Sequence, residues 1–184
     1  MAQSWYLEGQ TADTADAARA AVAQLYTPEQ RARRDATIWT TVQGVLAPVQ
    51  FLVFLVSLGL VLRYLLTGFG YEAATLSIIV KTLVLYLIMV TGAIWEERVF
   101  GQYLFAPAFY WEDVFSMAVL AAHTLYLISL FQSWGTPTLQ MTIALVAYGL
   151  YVINAGQFLW KLRMARLQSD RAEAPVARTE GNAA

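Results

Sequence analysis

Long uncharged stretches constrain the fold of this chain more than any other feature. No charged residue lies between Asp35 and Arg63, and between Asp113 and Lys161 the titratable group of interest is His123. A transmembrane helix needs about 20 mostly apolar residues, and four segments meet that condition: 40–63, 73–95, 113–133 and 138–160. The sequence therefore predicts an all-α integral membrane protein, a bundle of four transmembrane helices.

Composition agrees with this fold and narrows the functions that the chain can have. Apolar residues make up 58% and charged residues 14% of the chain, whereas a soluble domain has about 25% charged residues. The net charge of −1 without a long basic run argues against a nucleic-acid partner. The absence of cysteine excludes disulfides, thiolate metal sites and a cysteine nucleophile. The first residues do not have the pattern of a signal peptide.

The distribution of lysine and arginine predicts how the bundle is oriented. Both flanks of the four spans are basic, and the turns after the first and third spans are nearly free of such residues. By the positive-inside rule, the N- and C-termini of this multi-pass protein are expected to be cytoplasmic. The basic residues are Arg19, Arg31, Arg33 and Arg34 on one flank and Lys161, Arg163, Arg166, Arg171 and Arg178 on the other.

The chain is expected to divide into three parts: a flexible tail (1–26), a four-helix domain (27–166) and a disordered tail (167–184). The run Thr27-Pro28-Glu29-Gln30 predicts a helix start, with Thr27 as N-cap and Gln30 completing a capping box. Pro48 is expected to kink the first span. Lys81 is expected to extend to the interface or to pair with a polar group rather than to act in chemistry.

Four carboxylates and the single histidine lie around the link between the second and third spans. Acidic groups beside a membrane span are costly when they face lipid, so they usually mark a functional site or anchor a helix end. Glu96 and Glu97 point about 100° apart on a helix, so only one of them faces the bundle centre easily. A carboxyl group buried there is suited to general acid catalysis.

Glu112, Asp113 and His123 begin or line the third span. Glu112 and His123 are eleven residues apart, close to three turns, and share a helix face. Asp113 faces elsewhere; it either pairs with Arg98 or lies as a carboxylate at the helix N-terminus. For His123 three interpretations stay open: a neutral core histidine hydrogen-bonded to a neighbouring helix, an axial ligand to the metal of a planar pigment, or a proton donor.

Aromatic residues are concentrated in the same link, with seven of the chain's 25 between Phe100 and Phe115. Tryptophan and tyrosine prefer the headgroup region, so an interfacial belt explains them. They could equally form a wall over a flat, apolar ligand. The two interpretations are compatible.

Four segments carry a resemblance to a known family. They are LYTPEQRARRDATIW (25–39), VQGVLAPVQFLVFLVSLGLVLRYL (42–65), WEERVFGQYLFAPAFYWEDVFSMAVLAAHTLYL (95–127) and YVINAGQFLWKLR (151–163). The chain resembles the vinyl hydratases of bacteriochlorophyll biosynthesis (3-vinyl bacteriochlorophyllide hydratase, also called chlorophyllide 3¹-hydratase). The resemblance covers residues 25–166.

The resemblance implies hydration of the C3 vinyl group of a chlorophyllide or bacteriochlorophyllide to a 1-hydroxyethyl group. No cofactor or protein-bound metal is implied, since the Mg belongs to the pigment; the expected partners are this pigment, membrane lipid and other pigment-biosynthesis enzymes. Glu96 and Glu112 are expected to be the acid–base pair. Asp113 is expected to orient either the water or Arg98. His123 is expected to bind near the Mg of the pigment. The expected substrate-binding residues are Arg98, Tyr103, Phe109, Trp111, Asn154 and Gln157, with Arg98 or Lys161 holding the propionate.

Two rival functions use the same residues. A non-catalytic pigment carrier or assembly factor would bind in the same groove without reacting. A transporter would use Lys81, His123 and the carboxylates as a proton path, but the periplasmic half of the spans offers only Lys81 and hydroxyl groups for it. Hydration would remove vinyl conjugation and shift the pigment absorbance to the blue, which a carrier would not do.

Overall fold

The computed structural model describes residues 25–180, with side chains as far as residue 167. Within this range the chain forms five helices: α1 (Pro28–Ala36), α2 (Ile38–Thr67), α3 (Tyr71–Phe100), α4 (Tyr110–Phe131) and α5 (Pro137–Glu180). The predicted disorder of the two tails stays a prediction, because residues 1–24 and 181–184 lie outside the described residues. The helix α5 is continuous to Glu180.

The four predicted spans are confirmed as α2, α3, α4 and the segment Pro137–Leu167 of α5, each long and apolar enough to cross a membrane. The chain is therefore a multi-pass membrane protein. Helix α2 runs continuously through Pro48 and ends at Gly68, whose φ of 76° is the left-handed conformation that favours glycine at a helix C-terminus. Gly101 ends α3 in the same way, with a φ of 82°.

The predicted capping box at the start of α1 is also confirmed. The Thr27 hydroxyl accepts a hydrogen bond from the backbone N–H of Gln30 at 3.2 Å, and the Gln30 side chain accepts one from the Thr27 N–H at 2.9 Å. Helix α1 then stops at Thr37 and α2 begins at once. The Thr40 hydroxyl joins the two helices by donating to the Arg34 carbonyl at 2.6 Å.

The spans are arranged as two hairpins. Helix α2 packs along α3 and helix α4 along α5, whereas the two pairs touch each other less extensively. Side chains from all four spans fill the core between them, among them Phe54, Ile78, Val119 and Tyr148. Many large apolar side chains face outward, as expected for a surface in contact with lipid.

A second, smaller core lies at the end of the bundle that carries the α3–α4 loop. Its buried members are Tyr26, Val99 and Phe109. Tyr26 belongs to the tail in the sequence-based division, but the structure packs its ring against Phe100 at 5.8 Å. Burial raises the pKa of the Tyr26 phenol to about 12. The packed part of the described chain therefore includes Tyr26.

Candidate functional site

The centre of the candidate site is a pair of carboxyl groups, one from the end of α3 and one from the start of α4. Glu96 and Asp113 are 5% and 4% exposed, and their carboxyl groups are close enough to interact electrostatically. Two negative charges at one buried site repel each other. The pair is therefore most stable when one of its two carboxyl groups carries a proton.

The α3–α4 loop (residues 101–109) fixes this pair through its backbone. The N–H of Phe105 donates to Asp113 Oδ2 at 2.7 Å, and the next N–H, of Ala106, donates to Glu96 Oε2 at 3.3 Å. Phe105 has a φ of 61°, which is uncommon for an aromatic residue. Such a conformation costs about 1–3 kcal/mol and is found mostly at functional sites. Here it turns two successive N–H groups toward two carboxyl groups.

Glu112 lies beside the pair but has a different partner. Its Oε2 is 2.6 Å from Lys161 Nζ on α5, and the glutamate side chain is 9% exposed. Lys161 also donates to the Ala108 carbonyl and lies over the Phe109 ring, 5.0 Å from its centroid. The structure therefore brings Glu96 together with Asp113, not with Glu112 as the sequence-based pairing expected.

Arg98 does not take the position that was expected for it beside Asp113. Its Nε lies 3.3 Å from Glu97 Oε2, and its side chain is 63% exposed. Helical geometry predicted that only one of Glu96 and Glu97 faces the bundle. In the structure Glu96 is buried, and Glu97 pairs with exposed Arg98. Asp113 lies in the first turn of α4, the second of its two expected positions.

Amide side chains continue the site toward the middle of the bundle. Asn154 on α5 donates to the Ser116 hydroxyl on α4 at 2.9 Å. Its Oδ1, Gln157 Oε1 and both amide atoms of Gln50 on α2 are buried and have no hydrogen-bond partner in the described part of the chain. Buried polar groups are nearly always satisfied. These four atoms therefore favour a ligand or water between the hairpins.

His123 lies in the centre of α4 and is fully buried. Its Nδ1 is 2.8 Å from the Val119 carbonyl, which can only accept, so Nδ1 carries the hydrogen and Nε2 of the neutral ring is a free lone pair. Nε2 has no partner among the residues described. Glu112 and His123 share a helix face. Glu112 forms an ion pair at one end of it, and His123 has a ring nitrogen without a partner among the described residues at the other.

Lys81 does not behave as the sequence predicted. It is fully buried rather than extended to the interface, and its Nζ faces aromatic rings instead of a polar group. The distances from Nζ to the ring centroids are 4.1 Å for Tyr151 and 5.5 Å for Tyr148.

The aromatic residues of the link divide into two groups. Tyr103 and Trp111 are 64% and 66% exposed, as an interfacial belt requires. Phe109 is buried and packs against Trp95 and Phe158 at 5.6 and 6.1 Å. The sequence did not distinguish these groups, because the difference depends on two distant residues, Tyr26 and Phe158, packing against Phe109.

Comparison with known proteins gives the family. The family model of 2-vinyl bacteriochlorophyllide hydratase matches residues 26–164. The chain belongs to this hydratase family. A 2-vinyl bacteriochlorophyllide hydratase of Cereibacter sphaeroides is 72% identical over 151 residues, which cover 82% of this chain and 93% of the relative. Its counterpart in Rhodobacter capsulatus is 70% identical over 151 residues, 82% of this chain and 87% of the relative. No solved structure matches the chain.

Membership of the hydratase family favours an enzyme, a hydro-lyase, over the carrier and transport alternatives. The two loop N–H groups and the specific Glu112–Lys161 pair were not predicted from the sequence. No residue pattern indicates a left-handed Phe105. Lys161 lies on nearly the same face of α5 as Asn154 and Gln157, and that spacing was the one available signal for its part in the site.

Proposed function

We propose that this hydratase adds water across the vinyl group of a bacteriochlorophyll precursor, chlorophyllide or 3-vinyl bacteriochlorophyllide, with the Glu96–Asp113 pair as acid and base. The vinyl group called 2-vinyl in the family name is the 3-vinyl group of the alternative ring numbering. The observation that carries the proposal is that successive N–H groups of the α3–α4 loop hold two buried carboxyl groups side by side. This arrangement provides one transferable proton and one acceptor at the same place.

The reaction divides into two proton-coupled steps. The protonated carboxyl group gives its proton to the terminal vinyl carbon, and the cation on the inner carbon is stabilised by conjugation with the macrocycle. Water attacks the inner carbon and its proton returns to the carboxylate pair. Water and alkene are consumed, the alcohol is formed and the pair is restored, so the chemistry needs no metal or redox cofactor from the protein.

The remaining groups of the site hold the water and the substrate. Lys161 neutralises the charge of Glu112. Glu112 therefore contributes to the electrostatic environment of the Glu96–Asp113 pair and is not itself the proton donor. Asn154 and Gln157 offer unpartnered carbonyl oxygens that can accept hydrogen bonds from the attacking water. His123 offers Nε2 to the Mg of the pigment, in the arrangement in which the other ring nitrogen is fixed by a backbone carbonyl.

The exposed part of the link and the membrane position complete the proposal. Arg98, Tyr103 and Trp111 lie at the mouth of the site, where a flat ring would enter from the headgroup region, and Phe109 supports this wall from inside. The excess of lysine and arginine near this end favours the cytoplasmic face of a bacterial inner membrane. Lipid and neighbouring pigment-biosynthesis enzymes are the partners expected there.

The proposal is tested by incubating the purified protein in lipid nanodiscs with vinyl chlorophyllide. The expected result is a blue-shifted absorbance and a product heavier by one water, with ¹⁸O incorporated at the new alcohol when the solvent is H₂¹⁸O. Pigment binding without either change would show that the protein is a carrier.

A pair of variants tests the role of the carboxyl pair in the same assay. Glu96→Gln is expected to lower kcat about 10²–10⁴-fold, the usual contribution of a general acid or base. Glu97→Gln is the matched control, since it makes the same change one residue away at a carboxylate paired with exposed Arg98, and it is expected to keep full activity. Equal activity of the two variants would remove Glu96 from the mechanism.

A further inference from the structure

Lys81 is a buried lysine that the proposed mechanism does not use. Its side chain is 0% exposed in the middle of α3, and its Nζ has no hydrogen-bond partner in the part of the chain that the structure describes. An ammonium group has three donors and no acceptor. The rings of Tyr151 and Tyr148 offer their faces, which compensate a cation only in part.

The buried acidic groups among the described residues are engaged elsewhere. Glu112 pairs with Lys161, and Glu96 and Asp113 accept hydrogen bonds from the loop N–H groups. A buried charge without a countercharge is strongly unfavourable. The place in front of Lys81 therefore suits a ligand that brings a negative charge into the core.

The surroundings of Lys81 show which part of a ligand would reach it. The His123 ring lies 5.8 Å from the Tyr148 ring, the same ring that Lys81 faces, and Lys81 and His123 are close enough to interact electrostatically. Along α4, His123 lies ten residues from Asp113, one of the two carboxyl groups of the acid pair. This separation is about 15 Å at the helical rise, comparable to a tetrapyrrole with its side chains.

We propose that Lys81 forms an anion subsite that binds the carboxylate of the tetrapyrrole substrate, while the vinyl group at the other end of the ring lies at the Glu96–Asp113 pair. This inference rests on the proposed function, because it takes the substrate from there. It moves the carboxylate from the mouth, where Arg98 and Lys161 were expected to hold it, into the core. One buried ammonium then selects the free acid over its ester and fixes which edge of the ring faces the acid pair.

The experiment uses a ligand that cannot be hydrated, so that binding is measured independently of the reaction. The probes are the 3-ethyl analogue of chlorophyllide as the free acid and as its methyl ester, titrated by absorbance into the full-length protein in nanodiscs. The wild type is expected to bind the acid about tenfold more tightly than the ester, the value of one hydrogen bond to a charged group. Equal affinities would overturn the subsite without any variant being made.

Lys81→Met and Arg63→Met are then compared, since both remove one positive charge but Arg63 is exposed. Lys81→Met is expected to bind acid and ester alike, at the affinity of the wild type for the ester, and Arg63→Met to keep the tenfold preference. A preference retained in Lys81→Met would overturn the proposal. The proposal would also be overturned if the wild type bound acid and ester equally and with a Kd that depends on chloride. That result would identify a small inorganic anion as the occupant.

The two proposals fail separately. Hydration activity without a preference for the free acid would refute the subsite alone. A tenfold preference for the acid in a protein that forms no alcohol would refute the hydratase mechanism and leave the subsite standing.

Discussion

The amide side chains at the two ends of the bundle differ in how completely they are hydrogen-bonded. At the end with the short turns, Gln140 accepts from the Tyr71 hydroxyl at 2.5 Å and donates to the Ser129 and Trp134 carbonyls at 3.2 and 3.4 Å. Toward the other end, both amide atoms of Gln50 and one oxygen each of Asn154 and Gln157 have no partner among the described residues. A satisfied amide holds helices together, whereas an unsatisfied one is available to a ligand.

Removal of a carboxyl group at the site should have the largest effect. Asp113→Asn is expected to lower kcat about 10²–10⁴-fold, because the pair loses its shared proton. Glu112→Gln should reduce kcat much less, because Glu112 already has Lys161 as its partner. Single-turnover rates in nanodiscs measure both variants, and a larger loss for Glu112→Gln would reverse the assignment.

Lys161→Met should have the next largest effect, on stability. It leaves the Glu112 carboxylate without its partner, which for a buried pair costs about 3–5 kcal/mol; we expect about 2–4 kcal/mol because the Lys161 side chain is 25% exposed. The measurement is unfolding in detergent. The double variant with Glu112→Leu should recover most of the loss, and a double variant as unstable as the single one would contradict this account of the pair.

Tyr71→Phe tests the satisfied end of the bundle. It removes the donor to Gln140 Oε1 and leaves a buried oxygen unpaired, which costs about 1–3 kcal/mol. The catalytic rate should stay within about twofold of the wild type, because this end takes no part in the reaction. A lost rate at unchanged stability would mean that the two ends are not separate in function.

Gln50→Leu tests the unsatisfied amides and should change the stability in the opposite direction to Tyr71→Phe. In the protein without pigment, an apolar side chain in place of an unpaired amide is expected to raise stability by about 1 kcal/mol. Pigment binding should weaken at the same time. A loss of stability comparable to that of Tyr71→Phe would show that Gln50 is satisfied in the free protein.

Much of the fold could be predicted from the sequence because membrane insertion depends on local composition. The four spans, the capping box at Thr27 and the inward choice between Glu96 and Glu97 all follow from residues close together in the chain. The sequence also predicts a candidate site at the α3–α4 loop, since acidic residues beside a membrane span are costly unless they have a function, and this site stays a prediction.

The partners within the site depend on contacts between distant segments and could not be predicted. Glu112 meets Lys161 across 49 residues, and this requires the register of α4 against α5. The orientation of two loop N–H groups toward Glu96 and Asp113 depends on the left-handed Phe105. The complete burial of Lys81 depends on Tyr148 and Tyr151 of α5. The residue pattern of α3 alone could not predict these contacts.

The modest contact between the two hairpins has a kinetic consequence. If the proposed pigment is the substrate, it would reach the site from the bilayer without crossing water, and the reaction rate would depend on the pigment-to-lipid ratio. Diluting the same amount of pigment into more lipid would then slow the reaction at constant bulk concentration. Apparent KM values for this hydratase are therefore best expressed as mole fractions of the membrane.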